Sequence, residues 1–309
     1  YGHAIECLPD GSLVVAGQTT SSDFPTTNGA FQTVHAGAND GFLVKLRPDY
    51  TPEWGTYLGA ANEDQILSLD AFSDGSIAVC GSTESAAFPT TSFAIDRTFG
   101  GGGLSDAFYG RLSADGSTLL SSSFLGGSMD DYATSVKLDA NGNSFIVGMT
   151  RSSDFPTTAG AFDRTFNGSA DVFVVAIDTG QTTQIYSTLI GGAGFDQAES
   201  VALDPSGSAW LTGFTTSPAF PTTSDGVGLA LGGIGWSDAF VAQLSPTGGQ
   251  LAYGSYFGGS INDSAYAIGL DDSLAVYLAG ITASTNLPTT VGAFDRTLEG
   301  PQDGFVAKL

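Results

Sequence analysis

One short motif recurs at a nearly constant spacing along the whole chain, and this periodicity limits the fold more than any other feature. The motif is Phe-Pro-Thr-Thr, with Leu in place of Phe in the fifth copy. Its copies begin 64, 67, 65 and 67 residues apart, at Phe24, Phe88, Phe155, Phe220 and Leu287. A regular period of this kind predicts one supersecondary unit that is repeated and stacked on its neighbours.

Two aspartate markers run in phase with this motif. The first opens an Asp-x-Phe sequence in every unit, at Asp40, Asp106, Asp171, Asp238 and Asp303. The second lies shortly after an apolar-Gly pair, at Asp64, Asp131, Asp196 and Asp263. The markers divide the chain into repeat units of approximately 1–63, 64–130, 131–195, 196–262 and 263–309. Together these units form one predicted domain, 1–309.

Each unit contains four short β-prone runs that are separated by turns. In the third unit we predict strands at 135–138, 144–147, 173–177 and 185–190, with Gly148 ending the second of them. The first two are joined by Asp139-Ala140-Asn141-Gly142, because an Asx residue and a Gly between β-prone runs are typical of a hairpin turn.

The second run of each unit is apolar on both faces, as at 13–16 and 145–147. A sheet with one wet face would show alternation, so these strands are expected to be covered on both sides. The pattern predicts an all-β fold, a β-propeller with five blades of about four antiparallel strands. A parallel β-helix is the less favoured alternative, because its rungs are mostly shorter than these units.

We expect the first strand of each blade to lie nearest the propeller axis. These strands are predicted at 4–8, 68–72, 135–139, 200–204 and 267–271. The Phe of each Phe-Pro-Thr-Thr motif is predicted to be a buried plug that holds the long insertion onto its blade, and not a ligand contact.

The fifth unit reaches only its third strand, so its blade is predicted to lack the outermost strand. We therefore predict a strand-accepting edge at Phe305, Val306, Ala307, Lys308 and Leu309, since an unpaired edge recruits other strands. The sequence opens at Tyr1 without an initiator Met or a signal peptide, and we expect it to be part of a longer secreted chain. The missing strand then comes either from that longer chain or from a neighbouring molecule.

The charge balance limits the partners. Lys and Arg total 9 against 32 Asp and Glu, which gives a net charge of −23. Such a field repels a phosphate backbone, so no nucleic-acid partner is expected. No apolar run approaches the roughly 18 residues that a membrane span needs, so no membrane insertion is expected. Basic proteins and divalent cations remain electrostatically suitable partners.

The recurring aspartates are the strongest candidates for chemistry. One reading is structural, because every repeat must solve the same turn problem with a carboxylate that accepts backbone N–H groups. The other reading is calcium binding, which needs six to eight converging oxygens. No calcium-loop motif is present, and Asp139 to Asn143 is the closest sequence. We therefore expect no cofactor and no metal, with calcium as the alternative.

Catalytic residue sets are not evident. The two histidines, His3 and His35, occupy non-equivalent positions and suggest no nucleophile–base pair. Cys7 and Cys80 are expected to be buried small hydrophobes, and a bridge between them remains open. The three tryptophans are also non-equivalent. Trp210 is expected in the core, while Trp54 and Trp236 are expected in connections that could contact a ligand.

Several motifs resemble the bacterial β-propeller repeat family called SBBP. They are Tyr186-Ser187-Thr188-Leu189-Ile190-Gly191-Gly192, Gly148-Met149-Thr150-Arg151-Ser152-Ser153-Asp154-Phe155-Pro156-Thr157-Thr158 and Asp238-Ala239-Phe240-Val241-Ala242-Gln243-Leu244. The resemblance covers essentially the whole chain. It implies a secreted or cell-surface bacterial protein, and the family carries no catalytic motif.

These observations predict a non-catalytic extracellular structural or interaction module, one that could be a component of a surface assembly. Its expected partners are proteins or further copies of itself, bound through blade edges or rim loops. Lectin-like binding of surface polysaccharide is the alternative. A polysaccharide lyase or hydrolase is the least favoured reading.

Overall fold

The computed structural model describes residues 1–102 and 104–309, and these residues form nineteen β-strands. The first sheet contains β1 (Gly2–Cys7), β2 (Leu13–Thr19), β3 (Asp40–Leu46) and β4 (Pro52–Leu58). The second contains β5 (Asp64–Ala71), β6 (Ile77–Thr83), β7 (Asp106–Leu112) and β8 (Leu119–Leu125). The third contains β9 (Asp131–Leu138), β10 (Ser144–Thr150), β11 (Asp171–Ile177) and β12 (Gln184–Ile190). The fourth contains β13 (Asp196–Leu203), β14 (Ala209–Thr215), β15 (Asp238–Leu244) and β16 (Leu251–Phe257). The fifth contains β17 (Asp263–Leu270), β18 (Val276–Thr282) and β19 (Asp303–Lys308).

Every sheet is a simple meander in which each strand pairs with the next one along the chain. Four sheets have four strands, and the fifth has the order β17-β18-β19. The strand pairs of the first, second, fourth and fifth sheets are antiparallel. This four-stranded meander is the blade pattern of β-propellers. The predicted all-β fold of five blade-like sheets, the last without its outermost strand, is therefore confirmed.

The chain divides into two compact units, and each has its own packing. The first comprises Tyr1–Ile146, Ser152–Pro156 and Ala176–Ile185. Within it, β5 packs against β1, β2 and β3, and β9 packs against β5, β6 and β7.

The second unit comprises Val147–Arg151, Thr157–Val175 and Tyr186–Leu309. Within it, β17 packs against β13, β14 and β15. In both units, the first strand of one sheet thus lies across a face of the preceding sheet. This face-to-face packing explains why β6 is buried along its whole length.

Four of the five first strands start four residues earlier than predicted, at the recurring aspartate. β5 begins at Asp64 and not near residue 68, and a bulge separates Ile66 from Ser68. The alternation of polar and apolar residues before the bulge is interrupted, so the sequence pattern did not reveal this part of the strand. Bulges of this kind shift the register and bend the strand.

The second strands continue past the glycine that was predicted to end them. β10 extends through Gly148 to Thr150, and β6 extends through Gly81 to Thr83. A Cβ on Gly81 would lie 1.9 Å from the carbonyl oxygen of Gln65 on the bulged strand. Glycine is needed here for close approach of two backbones and not for a turn.

The hairpin turns follow the sequence prediction. In the third sheet the Asp139 carboxylate accepts the N–H groups of Asn141 and Asn143, each at 2.8 Å. Gly142 adopts a φ of 79°, which only glycine reaches without strain. The candidate calcium sequence at Asp139 to Asn143 is therefore a hairpin turn.

Candidate functional site

The first aspartate marker sits at the start of each third strand and binds the backbone just before it. Asp40 Oδ2 accepts the N–H of Ala36 at 2.7 Å, and Asp238 Oδ2 accepts that of Gly232 at 2.7 Å. The equivalent carboxylates also accept a backbone N–H from the preceding insertion, at Asp106, Asp171 and Asp303.

The second aspartate marker does the same at the start of the first strands. Asp64 Oδ2 accepts the N–H of Ala60 at 2.6 Å and the hydroxyl of Ser85 at 3.0 Å. The matching backbone bond is made by Asp131, Asp196 and Asp263. Each carboxylate thereby ties a connection to the strand that follows it, as the structural reading of the sequence requires.

The two markers meet in pairs at one glycine per junction. An ideal Cβ on Gly59 would lie 2.8 Å from Asp40 Oδ1 and 2.9 Å from Asp64 Oδ2. Gly126, Gly191 and Gly258 have the same two neighbours in their own junctions. The carboxylates are buried. A side chain at this glycine would therefore clash with both of them.

Burial raises the pKa values of several of these carboxylates. Burial is the main cause that raises the pKa of Asp106 to about 7 and that of Asp64 to about 6, and the charge of the paired aspartate adds to it. Burial likewise raises the pKa of Asp171 to about 7 and of Asp238 to about 6. Low-dielectric surroundings favour the neutral acid, and so does a nearby like charge. These junctions can therefore hold a proton near neutral pH.

The donor set at the junctions does not resemble a calcium site. Calcium takes six to eight oxygens. Across the described ranges, 1–102 and 104–309, no group of three or more His, Cys, Asp or Glu side chains is placed to hold a metal ion. The oxygens Asp40 Oδ1, Asp106 Oδ1, Asp171 Oδ1, Asp238 Oδ1 and Asp263 Oδ1 are buried without a hydrogen-bond partner.

The predicted burial of the first residue of the repeated motif is confirmed in the second, third and fourth units and is incomplete in the first and fifth. Phe88 is 3% exposed, and its ring centroid lies 4.4 Å from that of Phe108 and 6.2 Å from that of Phe124. Phe155 and Phe220 are also buried, whereas Phe24 and Leu287 are partly exposed. In the fifth unit, Leu287 lines an open groove.

Other residues singled out in the sequence lie apart from one another. Cys80 is buried, but Cys7 is exposed and both thiols are free, so the expectation of two buried cysteines is wrong for Cys7. Cys7 lies on an exposed part of β1, which the apolar residues at equivalent positions did not reveal. Trp54 was expected in a connection and lies instead in β4, buried, with its Nε1–H donated to the Ala114 carbonyl at 3.0 Å. Trp236 is exposed in an insertion.

The last strand, β19, has an open backbone edge. It pairs with β18, and the part of the chain that the structure describes provides no strand on its other side. Leu309 and Val276 exchange both backbone hydrogen bonds, so Phe305 and Ala307 also face β18. Alternation in an antiparallel ladder then directs the N–H and C=O groups of Gly304, Val306 and Lys308 towards the open edge.

One flat face of the same sheet is also uncovered. Val306 is 79% exposed, whereas Leu43, Tyr109, Val174 and Val241 occupy the equivalent position in the other sheets and are buried. Tyr277 and Tyr266 are exposed in the same sheet. We call Tyr266, Tyr277 and Val306 the open face. The sequence analysis identified the edge but missed this face, although aligning Val306 with Leu43 would have signalled it.

A groove of about 1210 Å³ borders the open edge. One wall is β19, and the other is the insertion at 284–299, which includes Leu287, Thr290 and Asp295. Tyr256 and Phe257 of β16 close one end. The predicted strand-accepting residues Phe305 to Leu309 all line this groove.

Comparison with known proteins gives one distant curated relative. The regulatory protein FlaEY of Caulobacter vibrioides is 24% identical to this chain over 318 residues. The match covers 99% of this chain and 31% of that protein, so the chain spans about a third of the length of this relative. No protein-family model matches the sequence. The described residues contain no helix with the length and apolar character needed to cross a membrane.

Among solved structures, a protein of unknown function from Dyadobacter fermentans has a TM-score of 0.48 and 15% identity, over 92% of this chain and 75% of that one. A europium-containing methanol dehydrogenase has a TM-score of 0.39 and 9% identity, over 88% and 49% of the two chains. A glucose dehydrogenase has a TM-score of 0.38 and 12% identity, over 90% and 93%. At these scores, the neighbours carry no information about function.

Proposed function

We propose that this chain is a non-catalytic interaction module, located outside the cell or on its surface. It binds protein through the open face of its fifth sheet. The observation that carries the proposal is the exposure of Val306. The corresponding apolar side chain is buried in each of the other four sheets. Apolar residues exposed together on one sheet face are typical of a surface that further protein covers.

Packing inside the chain supports this role for the open face. In the second sheet, the corresponding face receives β9, and in the fourth sheet it receives β17. The fifth sheet has the same strand order and the same kind of side chains, but Val306 and Tyr277 remain exposed. A protein surface of similar shape and polarity would therefore fit against it.

The location rests on the sequence. The motifs resemble the SBBP repeats of secreted and surface-anchored bacterial proteins, and 32 acidic residues against 9 basic ones favour solubility over contact with anionic surfaces. The relative FlaEY is described as a regulatory protein, and that description adds no ligand.

The two alternative functions have less support. A lectin of repeated design would present an equivalent aromatic residue in several units, and Trp236 stands at a position without equivalents. A lyase or hydrolase needs carboxylates that a substrate can reach, whereas the aspartates with raised pKa values are buried at the junctions. Neither alternative uses the open side of the fifth sheet.

A cysteine-protection experiment tests the proposal. Val306→Cys is made in a Cys7→Ala background, where the remaining Cys80 is buried. A membrane-impermeant maleimide is then applied to intact native cells and to the isolated chain. We expect Cys at 306 to react in the isolated chain and to be protected on cells. The control is Ile234→Cys in an exposed insertion, which should react in both preparations.

Two results would contradict the proposal. Equal labelling at positions 306 and 234 on cells would show that no partner covers the open face. Labelling at position 234 only after cell lysis would show that the module does not lie outside the cell.

A further inference from the structure

The dipeptide Asn-Gly can lose its side-chain amide without an enzyme, because glycine has no Cβ to obstruct attack by its own backbone nitrogen. The chain contains three such pairs, Asn28-Gly29, Asn141-Gly142 and Asn167-Gly168. The pairs are alike in sequence, but their surroundings in the structure differ. We infer that Asn28, and neither of the other two, is a self-modification site, at which the folded protein converts asparagine into aspartate and isoaspartate.

The conversion needs only water as a co-reactant. The Gly29 nitrogen attacks Cγ of Asn28, and the bond from Cγ to Nδ2 breaks, so that Nδ2 leaves as ammonia and takes the proton of the Gly29 N–H. The product is a cyclic imide. Water then breaks either of the two ring C–N bonds. Cleavage at Cγ gives aspartate, and cleavage at the main-chain carbonyl carbon gives isoaspartate, in which the main chain runs through Cβ and Cγ. One water is consumed, one ammonia is released, and nothing is oxidised or reduced.

The attacking nitrogen of Gly29 is free to move. Gly29 lies in a turn that is closed by the Ala30 N–H, which donates to the Thr27 carbonyl at 3.1 Å. Its φ of 87° at the third turn position is typical of a type II turn, whose central peptide group takes no part in the closing hydrogen bond. A Cβ on Gly29 would meet no atom within 4 Å. The peptide group between Asn28 and Gly29 can therefore rotate towards Cγ without a clash.

The leaving amide of Asn28 is free as well. Among the described residues, 1–102 and 104–309, neither the Asn28 side chain nor the Gly29 N–H forms a hydrogen bond. Both residues are exposed, so water reaches the imide once it has formed. Attack needs the nitrogen and Cγ to meet in a favourable orientation, and nothing in the surroundings of Asn28 opposes that approach.

The pair Asn141-Gly142 is held by its hairpin turn. The Gly142 N–H donates to the Asp139 carbonyl at 2.9 Å. The Asn141 N–H donates to Asp139 Oδ1 at 2.8 Å, which fixes the orientation of the same turn. The Gly142 nitrogen cannot attack until its own hydrogen bond has broken, so the turn slows the reaction.

The pair Asn167-Gly168 is held through both of its residues. Asn167 Nδ2 donates to Asp163 Oδ2 and to the Thr165 carbonyl, each at 2.9 Å. A Cβ on Gly168 would lie 2.3 Å from the Gly194 carbonyl oxygen, so the Gly168 backbone is packed against the neighbouring connection. Both the leaving amide and the attacking peptide group are therefore restrained.

Asn28 is next to a contact that holds the first insertion to its sheet. The Thr27 N–H donates to the Gly55 carbonyl at 3.0 Å, and the Tyr57 N–H donates to the Gln32 carbonyl at 2.9 Å. The insertion thereby clamps the fourth strand, β4. The same clamp recurs in the other three complete units, where the carbonyls of Asp96, Asp163 and Gly228 accept the N–H groups of Phe124, Leu189 and Tyr256.

Isoaspartate at position 28 should loosen this clamp. It adds one methylene to the main chain between Thr27 and Phe31, and both of these residues are tied down. Thr27 is bonded to Gly55, and the Phe31 N–H donates to the Gly116 carbonyl at 2.9 Å. A longer main chain between two fixed points changes the turn, and the hydrogen bond from Thr27 to Gly55 is the nearest one to be strained. Aspartate leaves the main chain unchanged and should not have this effect.

The turn itself does not require asparagine. Its hydrogen bond is accepted by a threonine carbonyl in all five units, at Thr27, Thr91, Thr158, Thr223 and Thr290. The residues that correspond to Asn28 in the other units are Ser92, Ala159, Ser224 and Val291. In the third unit Gly160 has a φ of 84° after Ala159, so alanine fits this turn. Asn28→Ala is therefore a matched control that removes the reacting amide and keeps the turn.

Peptide mapping of the whole chain 1–309 tests the assignment. The folded protein is incubated at pH 8 in heavy-oxygen water, and a second sample is incubated in the same buffer with urea. The water oxygen enters each new carboxyl group, so deamidation during incubation is marked, whereas deamidation during later digestion in ordinary water is not. Trypsin places the three Asn-Gly pairs on different peptides, and mass spectrometry measures the marked fraction of each.

We expect Asn28 to react in the folded chain at a rate within about fivefold of its rate in urea. Asn141 and Asn167 should each be slowed by more than about fivefold on folding, the rate equivalent of one hydrogen bond that has to break. Slowing of Asn28 as large as that of the other two, or a folded Asn28 peptide without heavy oxygen, would overturn the assignment.

Hydrogen exchange tests the consequence for the clamp. Isoaspartate is measured by methyl transfer from S-adenosylmethionine with an isoaspartyl methyltransferase, and exchange is then compared before and after ageing. We expect exchange at residues 25–32 and at Tyr57 to become faster in aged wild type, and to stay unchanged in aged Asn28→Ala and in fresh Asn28→Asp. Unchanged exchange in wild type that contains isoaspartate, or equally fast exchange in Asn28→Asp, would refute the loosening by a longer main chain.

Discussion

The substitution Asp106→Asn should make the protein more resistant to unfolding at alkaline pH. Burial, and after it the charge of Asp131, raise the pKa of Asp106 from 3.8 to about 7. Between these two pH values the native state binds more protons than the unfolded state, so wild-type stability falls as pH rises through this window. Asn cannot ionise, and its Oδ1 can still accept the N–H that Gly100 donates to Asp106 Oδ2 at 2.7 Å.

The magnitude follows from the width of the pH window. Each tenfold change in proton affinity corresponds to about 1.4 kcal/mol. From pH 5 to pH 8 the wild-type protein therefore loses about 2.5 kcal/mol through Asp106 alone, because the native carboxyl is half ionised at pH 7, and the variant avoids this loss. We expect the free energy of unfolding of Asp106→Asn, relative to wild type, to rise by about this amount between pH 5 and pH 8. Any fixed packing effect of the amide cancels in this difference.

Urea denaturation at constant ionic strength, from pH 5 to pH 8, measures the effect. The control is Asp115→Asn in an exposed turn, where hydrogen bonds from Ser113 and Ser117 lower the pKa of Asp115 to about 2. Asp115 is ionised across the whole range, so its variant should differ from wild type by a constant amount. A pH-independent difference for Asp106→Asn as well would refute the assignment of a protonated junction.

Three further results are expected. In urea titrations, Phe88→Ala should lower the free energy of unfolding by about 3–5 kcal/mol. The control Phe294→Ala, on a fully exposed ring, should change it by less than about 0.5 kcal/mol, and equal effects would contradict the role of Phe88 as a buried plug. A thiol reagent should modify Cys7 in the folded protein and Cys80 only after unfolding, because Cys80 is buried and burial raises the pKa of its thiol. Rapid labelling of both cysteines in the native protein would contradict this packing. Millimolar Ca²⁺ should leave the melting temperature at pH 8 unchanged relative to NaCl of equal ionic strength. A saturable rise in melting temperature would instead support calcium binding by the aspartates.

The repeats allowed the fold to be predicted from the sequence. Three in-phase markers, the Phe-Pro-Thr-Thr motif and the two aspartates, located the units, and the hairpin at Asp139 to Gly142 was predicted from turn chemistry alone. The starts of the first strands were missed, because the bulge after Ile66 breaks the alternation that identifies a strand. Gly148 was predicted to end its strand, because the close approach of such a glycine to a neighbouring backbone, as between the equivalent Gly81 and Gln65, is a contact that no local pattern encodes.

Only part of the candidate site could be predicted from the sequence. The edge at Phe305 to Leu309 follows from counting strands, so sequence reasoning reached it. The open face did not appear in that count, because it depends on which surface each sheet turns to its neighbour. Trp54 shows the same limitation: it pairs with Lys45 in the regular part of the β3–β4 ladder, and this pairing was not evident from the sequence around Trp54.

The insertion that clamps each fourth strand also has a consequence for colloidal behaviour. Because the backbone bonds of Tyr57, Phe124, Leu189 and Tyr256 are directed into their own insertions, the outer rims of four sheets offer little to a foreign strand. Strand addition at these rims should therefore require an insertion to detach first. A lesion that detaches an insertion, for example at Thr27, would open a growing end, and its phenotype would be insolubility before it was loss of folding.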